Sequence, residues 1–350
     1  MTIHVVTGGQ FGSEAKGHVA AILARGRHID GACVRVGGPN AGHSVIDDSG
    51  IRWAFRHVPV ASVVSDMQLI IGPGSEVDIE VLQSELEALR MAGILGIAER
   101  LFVDGQATII TESDRNMEKA GGTMTARLGS TAKGVGAARA SRIWRKAPLA
   151  INMVDEFTDI GVQVTNTQRI LNRCRQTNSD IIVEGTQGYG LGLHAGFYPF
   201  CTSGDCRTID FLAQAGICDM QNVQPWIVCR TFPIRVAGNS GPMFEETTWG
   251  TLGMQTDGYI KPEQTTVTKK IRRVGQWDDS LVISAIQDNP RNSRLVLTFV
   301  DYLDPALAGV TDFDKLQASP AWNWIVETEK RIDHRFTLFT TGPNSSIWRQ

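Results

Sequence analysis

Val5-Val6-Thr7-Gly8-Gly9-Gln10-Phe11-Gly12-Ser13-Glu14-Ala15-Lys16-Gly17 decides the fold class. A short β-branched strand runs into a glycine-rich turn, and a helix with a lysine in its first turn follows. Glycines let backbone N–H groups approach an anion, and a helix N-terminus carries about half a positive charge. The pattern G-x-x-x-x-G-K-[ST] does not fit, so this is not a Walker A loop. Taken alone, such a strand–turn–helix either cradles phosphate or is simply a tight turn.

Outward from that stretch, Ile3–Thr7 reads as the first strand, Lys16–Arg25 as a helix and Ala32–Val36 as a second apolar strand. Ser44–Val58 reads as a hairpin around Asp47-Asp48-Ser49-Gly50. Met67–Ile71 is a buried type of strand, Ile79–Met91 is strongly helical, and Leu101–Val103 is another short strand. Residues 121–139 are rich in glycine, alanine and threonine with little periodicity, which predicts a long functional loop. Asn166–Gln176 reads as helix; Asp180–Glu184, Trp226–Arg230 and Arg294–Val300 read as strands. Alternating strands and helices predict an α/β fold with a mostly parallel central sheet surrounded by helices. Strands ending at Thr7, Val36, Glu184 and Val300 each lead into a candidate site loop, beyond the carboxyl ends where open α/β sheets bind ligands. No repeat, low-complexity tract or Pro/Ser-rich linker interrupts the chain, so residues 1–350 are expected to form a single domain with loop insertions.

The chain has 350 residues, 42% hydrophobic and 20% charged, enough to bury a large core. A net charge of -3 gives no general attraction for polyanions, so nucleic acid is not expected as a partner. The 36 glycines exceed the usual share of about 7% and cluster in loops, as in a protein that wraps backbone around ligands. Cys33, Cys174, Cys201, Cys206, Cys218 and Cys229 are scattered without a C-x-x-C pair, which predicts buried free thiols in a reducing cytoplasm rather than a zinc ribbon or a disulfide set. No targeting pattern opens the sequence and no apolar run reaches about 18 residues, so a cytoplasmic protein with no membrane partner is expected.

Gln10-Phe11-Gly12-Ser13-Glu14-Ala15-Lys16-Gly17 and Gly37-Gly38-Pro39-Asn40-Ala41-Gly42-His43 resemble the opening loops of adenylosuccinate synthetases, which usually read Q-W-G-D-E-G-K-G and G-G-x-N-A-G-H. Further matches follow in the family's order: Gly129-Ser130-Thr131, Val183-Glu184-Gly185-Thr186-Gln187-Gly188, Tyr198-Pro199-Phe200-Cys201-Thr202-Ser203, Arg272-Arg273-Val274-Gly275, Asp301 before Leu303, and Thr340-Thr341-Gly342-Pro343. The resemblance spans nearly the whole chain. It implies the family's P-loop-NTPase-like fold and its two-step chemistry. A nucleoside triphosphate phosphorylates O6 of a 6-oxopurine nucleotide, and the amino group of aspartate then displaces that phosphate. Three anionic ligands must meet, which accounts physically for basic and glycine-rich loops.

The resemblance implies roles residue by residue. Gly12, Glu14, Ala15, Lys16, Gly17, Gly42 and His43 would hold the donor triphosphate, with Lys16 neutralising the transferring phosphoryl group and His43 bonding donor phosphates and the purine oxygen. Glu14 would orient neighbouring backbone or Lys16, or simply favour the helix dipole. The Gly42 carbonyl would be a Mg²⁺ ligand, as would the residue at position 13. Asn40, Ser130, Thr131, Gln187 and Thr202 would bind the nucleotide substrate, with the Gln187 amide reading the purine edge. Arg145 matches an arginine contributed across a homodimer interface, though Arg142 is an alternative. Thr268, Lys270 and Arg272 match the aspartate loop, where paired donors meet two carboxylates; Lys270 stands where arginine is usual. Asp301, Thr340, Gly342 and Pro343 would contact the donor's base or ribose.

Two departures bear on substrates. The family's catalytic aspartate, which removes the N1 proton and helps hold Mg²⁺, is Ser13 here. Serine is smaller and a far weaker base, and a purine carrying a 2-amino group needs room beside N1. That serine resembles the family's phage branch of 2-aminoadenylosuccinate synthetases, which work on dGMP rather than IMP. The guanine-reading motif of the family has lysine two positions before its aspartate; Phe299 replaces it before Asp301. An aromatic ring stacks on either purine, and loss of the lysine weakens the case for GTP, so ATP or dATP is expected. The reading is a ligase joining L-aspartate to dGMP. Alternatives are an ordinary adenylosuccinate synthetase using IMP and GTP, or a catalytically dead nucleotide-binding regulator.

Overall fold

The computed structural model describes residues 1–350 apart from 28, 120–127, 129, 266–269 and 350. The chain divides into two compact units, one of Met1–Val6, Lys16–Thr186 and Thr208–Gln224, the other of Thr7–Ala15, Gln187–Arg207 and Pro225–Gln350.

In the first unit, strands Ile3–Gly8, Ile181–Glu184, Ala32–Arg35, Gln68–Ile71, Leu101–Asp104 and Gln163–Thr165 lie in that order and run parallel. The first three are buried at every residue. A strand covered on both faces is apolar along most of its length, which is why these segments read as runs rather than alternations. The helix Lys16–Ala24 is buried nearly all round, and Ala20, Ala21 and Ala24 let it lie close to its neighbours. The expected hairpin is present as strands His43–Ile46 and Arg52–Phe55. Its turn is closed by the Asp47 carboxylate, which accepts the Ser49 and Ile51 N–H groups at 2.9 Å each and the Trp53 indole at 2.8 Å. The helix Ile79–Met91 begins at Asp78, whose side chain accepts the Val81 N–H at 3.3 Å, and buries Leu82, Glu85 and Leu89 on one stripe. Glu85 is a charge on that stripe because it accepts the Arg56, His57 and Val58 N–H groups and so anchors the chain leaving the hairpin.

In the second unit, strands Val223–Arg230, Arg294–Thr298 and Phe336–Gly342 are parallel, and Ser345–Trp348 folds back antiparallel on the last. Ile227, Leu297, Phe336 and Phe339 pack with Val282 of the helix Asp279–Gln287 and Ile325 of the helix Pro320–Ile332. A smaller antiparallel sheet joins Ile234–Arg235, Arg273–Gly275 and Glu246–Thr247.

The expected loop 121–139 is corrected at its end, where Val135–Ile143 is a helix. Glu118 explains it: its carboxylate accepts the Gly134 and Gly136 N–H groups at 2.8 Å each, capping the helix from a distance that periodicity does not register. The expected strand Arg294–Val300 stops at Thr298 because Phe299 takes a left-handed conformation, φ 60°.

Candidate active site

Two buried charged side chains and a buried histidine meet in the first unit. Parallel register places Arg35 directly beside Glu184, each the last residue of its strand, so both project from the same level at the carboxyl end of the sheet. Arg35 donates to the Glu184 Oε2 at 3.3 Å and to the Ala41 carbonyl at 2.8 Å. The hairpin delivers His43 to the same carboxylate, with Nδ1 at 3.0 Å from Oε2 and also against the Arg35 guanidinium. Glu184 Oε1 takes the Val60 N–H at 2.7 Å and the Cys33 thiol at 3.3 Å. His43 Nε2 is buried and has no hydrogen-bond partner among the described residues. Burial and the Arg35 charge pull the His43 pKa down to about 3 against the opposing pull of Glu184, so the ring is neutral at pH 7. Lys16, the first helical residue, is buried nearby in sequence, and Gly17 must be glycine: a Cβ there would lie 2.6 Å from the His43 Cβ.

The glycine loop of the second unit is organised around Glu14. Its fully buried carboxylate accepts the Gly12 N–H at 2.6 Å and the Gln10 N–H at 3.3 Å, so it orients the loop backbone. Gly188 closes over the same carboxylate, where a Cβ would lie 2.6 Å from the Gly12 nitrogen. Four of the ten described non-glycine residues with positive φ are predicted site residues. Ser13 (φ 59°), Ala15 (φ 64°), Arg145 (φ 59°) and Gln187 (φ 63°) are all left-handed without being glycine. Each such residue costs of order 1–3 kcal/mol, and such strain gathers where function demands a particular backbone.

Arg230 ties this loop to two others. It is fully buried at the end of its strand, and its backbone is clasped by the Gln10 amide, which accepts its N–H at 2.9 Å and donates to its carbonyl at 3.1 Å. Its guanidinium donates to the Ser13 carbonyl at 3.2 Å, pairs with Glu263 and lies 4.1 Å above the Phe299 ring. Glu263 precedes the expected aspartate loop, and its carbonyl accepts the Arg272 N–H at 2.8 Å. Burial pushes the Glu263 carboxyl up, but Arg230, together with the Arg272 charge and the Tyr302 hydroxyl, holds the group below its ordinary value. Beside Phe299, Asp301 is buried. Its Oδ2 accepts the Tyr259 hydroxyl at 2.7 Å, while Oδ1 has no hydrogen-bond partner among the described residues. Burial raises the Asp301 pKa.

The remaining expected residues are placed as follows. Asn40, Ser130, Thr131 and Thr202 are half-buried on loops, and Gly42 is exposed just before the hairpin. Arg145 is exposed at the end of the helix Val135–Ile143 and donates to the Ile143 carbonyl at 2.8 Å; Arg142 instead donates to the Gln106 carbonyl at 2.8 Å. Lys270 is exposed and Arg272 half-buried, and Thr268 lies outside the described residues. Thr340 and Gly342 end the strand Phe336–Gly342, and Pro343 is in the turn after it.

The family model of adenylosuccinate synthetase matches residues 5–159 and 149–308. The chain belongs to the adenylosuccinate synthetase family. Adenylosuccinate synthetases of Pyrococcus horikoshii and Thermococcus sibiricus are 33% and 32% identical to it, over 97% and 98% of the chain and 95% and 96% of their own lengths. Among solved structures, the succinoaminodeoxyadenylate synthetase of cyanophage S-2L, bound to dGMP and to dATP as energy donor, superposes with a TM-score of 0.80 at 27% identity. It covers 98% of this chain and 93% of its own. The Plasmodium falciparum adenylosuccinate synthetase gives 0.84 over the full length of both chains at 18% identity, which shows the shared α/β fold with its large, mostly parallel sheet. The adenylosuccinate synthetase family makes C–N bonds in purine biosynthesis and is generally Mg²⁺-dependent. Among the described residues no helix is long and apolar enough to cross a membrane.

Sequence reading missed Arg35, Arg230, Glu263 and Tyr259 as site neighbours. A signal for the two arginines exists: each ends an apolar run within a parallel strand, where a buried cation must have an anionic partner.

Proposed function

We propose that this adenylosuccinate synthetase family member condenses L-aspartate with dGMP, using ATP or dATP, to form N6-succino-2-amino-2′-deoxyadenylate. The observation that carries the reading is Ser13 in place of the family's aspartate, its short side chain exposed on a left-handed turn. The likeness to the phage enzyme bound to dGMP and dATP supports it. In the first step the donor's terminal P–O bond breaks, leaving the nucleoside diphosphate, the phosphoryl group bonds to the purine O6, and the purine N1 releases its proton. In the second the aspartate amine bonds to C6, phosphate leaves with the O6 electrons, and the amine releases a proton. Lys16 and the glycine-loop N–H groups stabilise charge on the moving phosphoryl group. The charge of bound phosphates favours the protonated His43 ring, whose Nε2–H, without a hydrogen-bond partner among the described residues, then donates to the purine oxygen and donor phosphates. Gln187, Asn40, Ser130, Thr131 and Thr202 hold the nucleotide; Thr268, Lys270 and Arg272 hold aspartate. Asp301, Thr340, Gly342 and Pro343 hold the donor's base and ribose.

Mg²⁺ suits the hard oxygen donors available at Gly42 and Ser13, both exposed. Among the described residues no group of three or more His, Cys, Asp or Glu side chains forms a cage, so phosphate oxygens and water would complete the shell. Bound there, the ion would neutralise phosphate charge. Arg145 acts across a homodimer, in keeping with the exposed Ile143 and Trp144 beside it.

A second reading, condensation of aspartate with IMP using GTP, is favoured by the names of the archaeal relatives. Steady-state assays with dGMP, GMP and IMP, with product masses and light scattering of the active enzyme, separate the two. Aspartate-dependent turnover is expected to be fastest with dGMP, from a dimer; a clear preference for IMP would overturn the dGMP assignment.

Ser13→Asp tests the same residue. Aspartate tolerates the left-handed backbone better than most side chains, and an exposed carboxylate carries little desolvation cost. The added group crowds a C2 amine while restoring a base beside N1. The kcat/KM ratio of dGMP to IMP is expected to fall by roughly 10–200-fold. An unchanged ratio, or one that moves toward dGMP, removes Ser13 as the substrate determinant.

A further inference from the structure

We propose that Tyr259 sets the base of the phosphoryl donor, by occupying one oxygen of Asp301 and leaving the other as a single acceptor for the 6-amino group of an adenine nucleotide. The inference rests on the reading that Asp301 faces the donor base. A carboxylate with both oxygens open matches guanine, whose N1–H and N2–H are adjacent donors that it takes as a fork. Adenine offers one donor at that edge, N6–H, and beside it the N1 lone pair, which a second carboxylate oxygen repels.

The geometry here is the adenine form. Asp301 is 5% exposed, its Oδ2 receives the Tyr259 hydroxyl at 2.7 Å, and its Oδ1 is buried with no hydrogen-bond partner among the described residues. A buried acceptor left open costs stability unless a ligand supplies the donor. Tyr259 is itself held by its neighbour: its ring stands edge-on to Tyr302 at 6.4 Å, and the Tyr302 hydroxyl bonds Glu263 at 3.2 Å. The Phe299 side chain offers no N–H to a 6-oxo group. One face of its ring is covered by the Arg230 guanidinium at 4.1 Å, and Tyr302 packs against it at 5.1 Å. A 6-oxygen therefore gains no donor from Phe299, and a second base donor finds its carboxylate oxygen already engaged.

The test is Tyr259→Phe, which keeps the ring packing and frees Oδ2. Calorimetry would give dissociation constants for ATP, dATP and GTP in wild type and variant, and turnover with dGMP and aspartate would give kcat/KM for each donor. The wild type is expected to favour adenine nucleotides at least 10-fold by both measures, and the variant to lose about 10-fold of that preference by gaining GTP. A wild type that prefers GTP, or a variant whose ATP-to-GTP ratio is unchanged, overturns the role of Tyr259. Binding ratios that shift as expected in a protein that never condenses aspartate with dGMP would instead sink the proposed reaction and leave Tyr259 as the base determinant.

Discussion

His43→Ala lowers turnover by about 10²–10³-fold, the loss typical of removing one donor aimed at developing charge. In the free protein the ring is neutral and buried, and its Nε2, which has no hydrogen-bond partner among the described residues, becomes a donor when phosphate charge favours the protonated ring. What the substitution removes is therefore an interaction reserved for ligand. The framework around it survives, because Glu184 keeps the Arg35, Val60 and Cys33 donors that already satisfy both of its oxygens. Lys16→Ala is expected to fall in the same range. Turnover and melting temperature measured on the same preparations decide the matter. A variant with near-normal turnover refutes the role, and one that loses turnover only in step with its melting temperature shows that the ring is structural.

Glu184→Ala has the largest expected effect on folding, about 3–5 kcal/mol, because it leaves a buried cation without its counter-charge. The Arg35 side chain is 2% exposed and the Glu184 side chain 0%. Burial pushes the Glu184 carboxyl up, but the His43 hydrogen bond, the Arg35 charge and the Val60 N–H together hold it below its ordinary value. With a native-state pKa below the unfolded one, its stabilisation is complete above the ordinary glutamate value of about 4.3 and is lost as pH falls through the depressed native value. Chemical denaturation at pH 7 should show the full deficit of the variant, and the gap to wild type should narrow as the buffer is taken below pH 4. Equal stabilities at pH 7 would mean that Arg35 finds another anion.

Much of the fold was legible because parallel strands buried on both faces must be apolar runs. Ile3–Thr7, Ala32–Val36, Met67–Ile71 and Asp180–Glu184 were each located to within a residue or so for that reason. The hairpin was legible from Asp47-Asp48-Ser49-Gly50, since turn chemistry is local. The helix Val135–Ile143 was not, because its first turn is satisfied by Glu118, on a preceding helix rather than at the N-cap.

For the site, the sequence by itself determined which residue types stand in which loops: glycines where backbone must approach backbone or ligand, Ser13 in place of an aspartate, and Lys16 and His43 behind their glycine motifs. Only the tertiary structure decided the pairings that give those residues their properties. Register between two strands about 150 residues apart in sequence sets Arg35 beside Glu184, and the hairpin then buries His43 against them; burial and the Arg35 charge make the imidazole neutral against the pull of Glu184. A turn that reverses at Phe299 puts Asp301 against Tyr259, so one carboxylate oxygen is engaged and the other is open. Residue identity is local information. A pKa or a free lone pair depends on burial and on partners distant along the chain, and those exist only once the strands have taken their register.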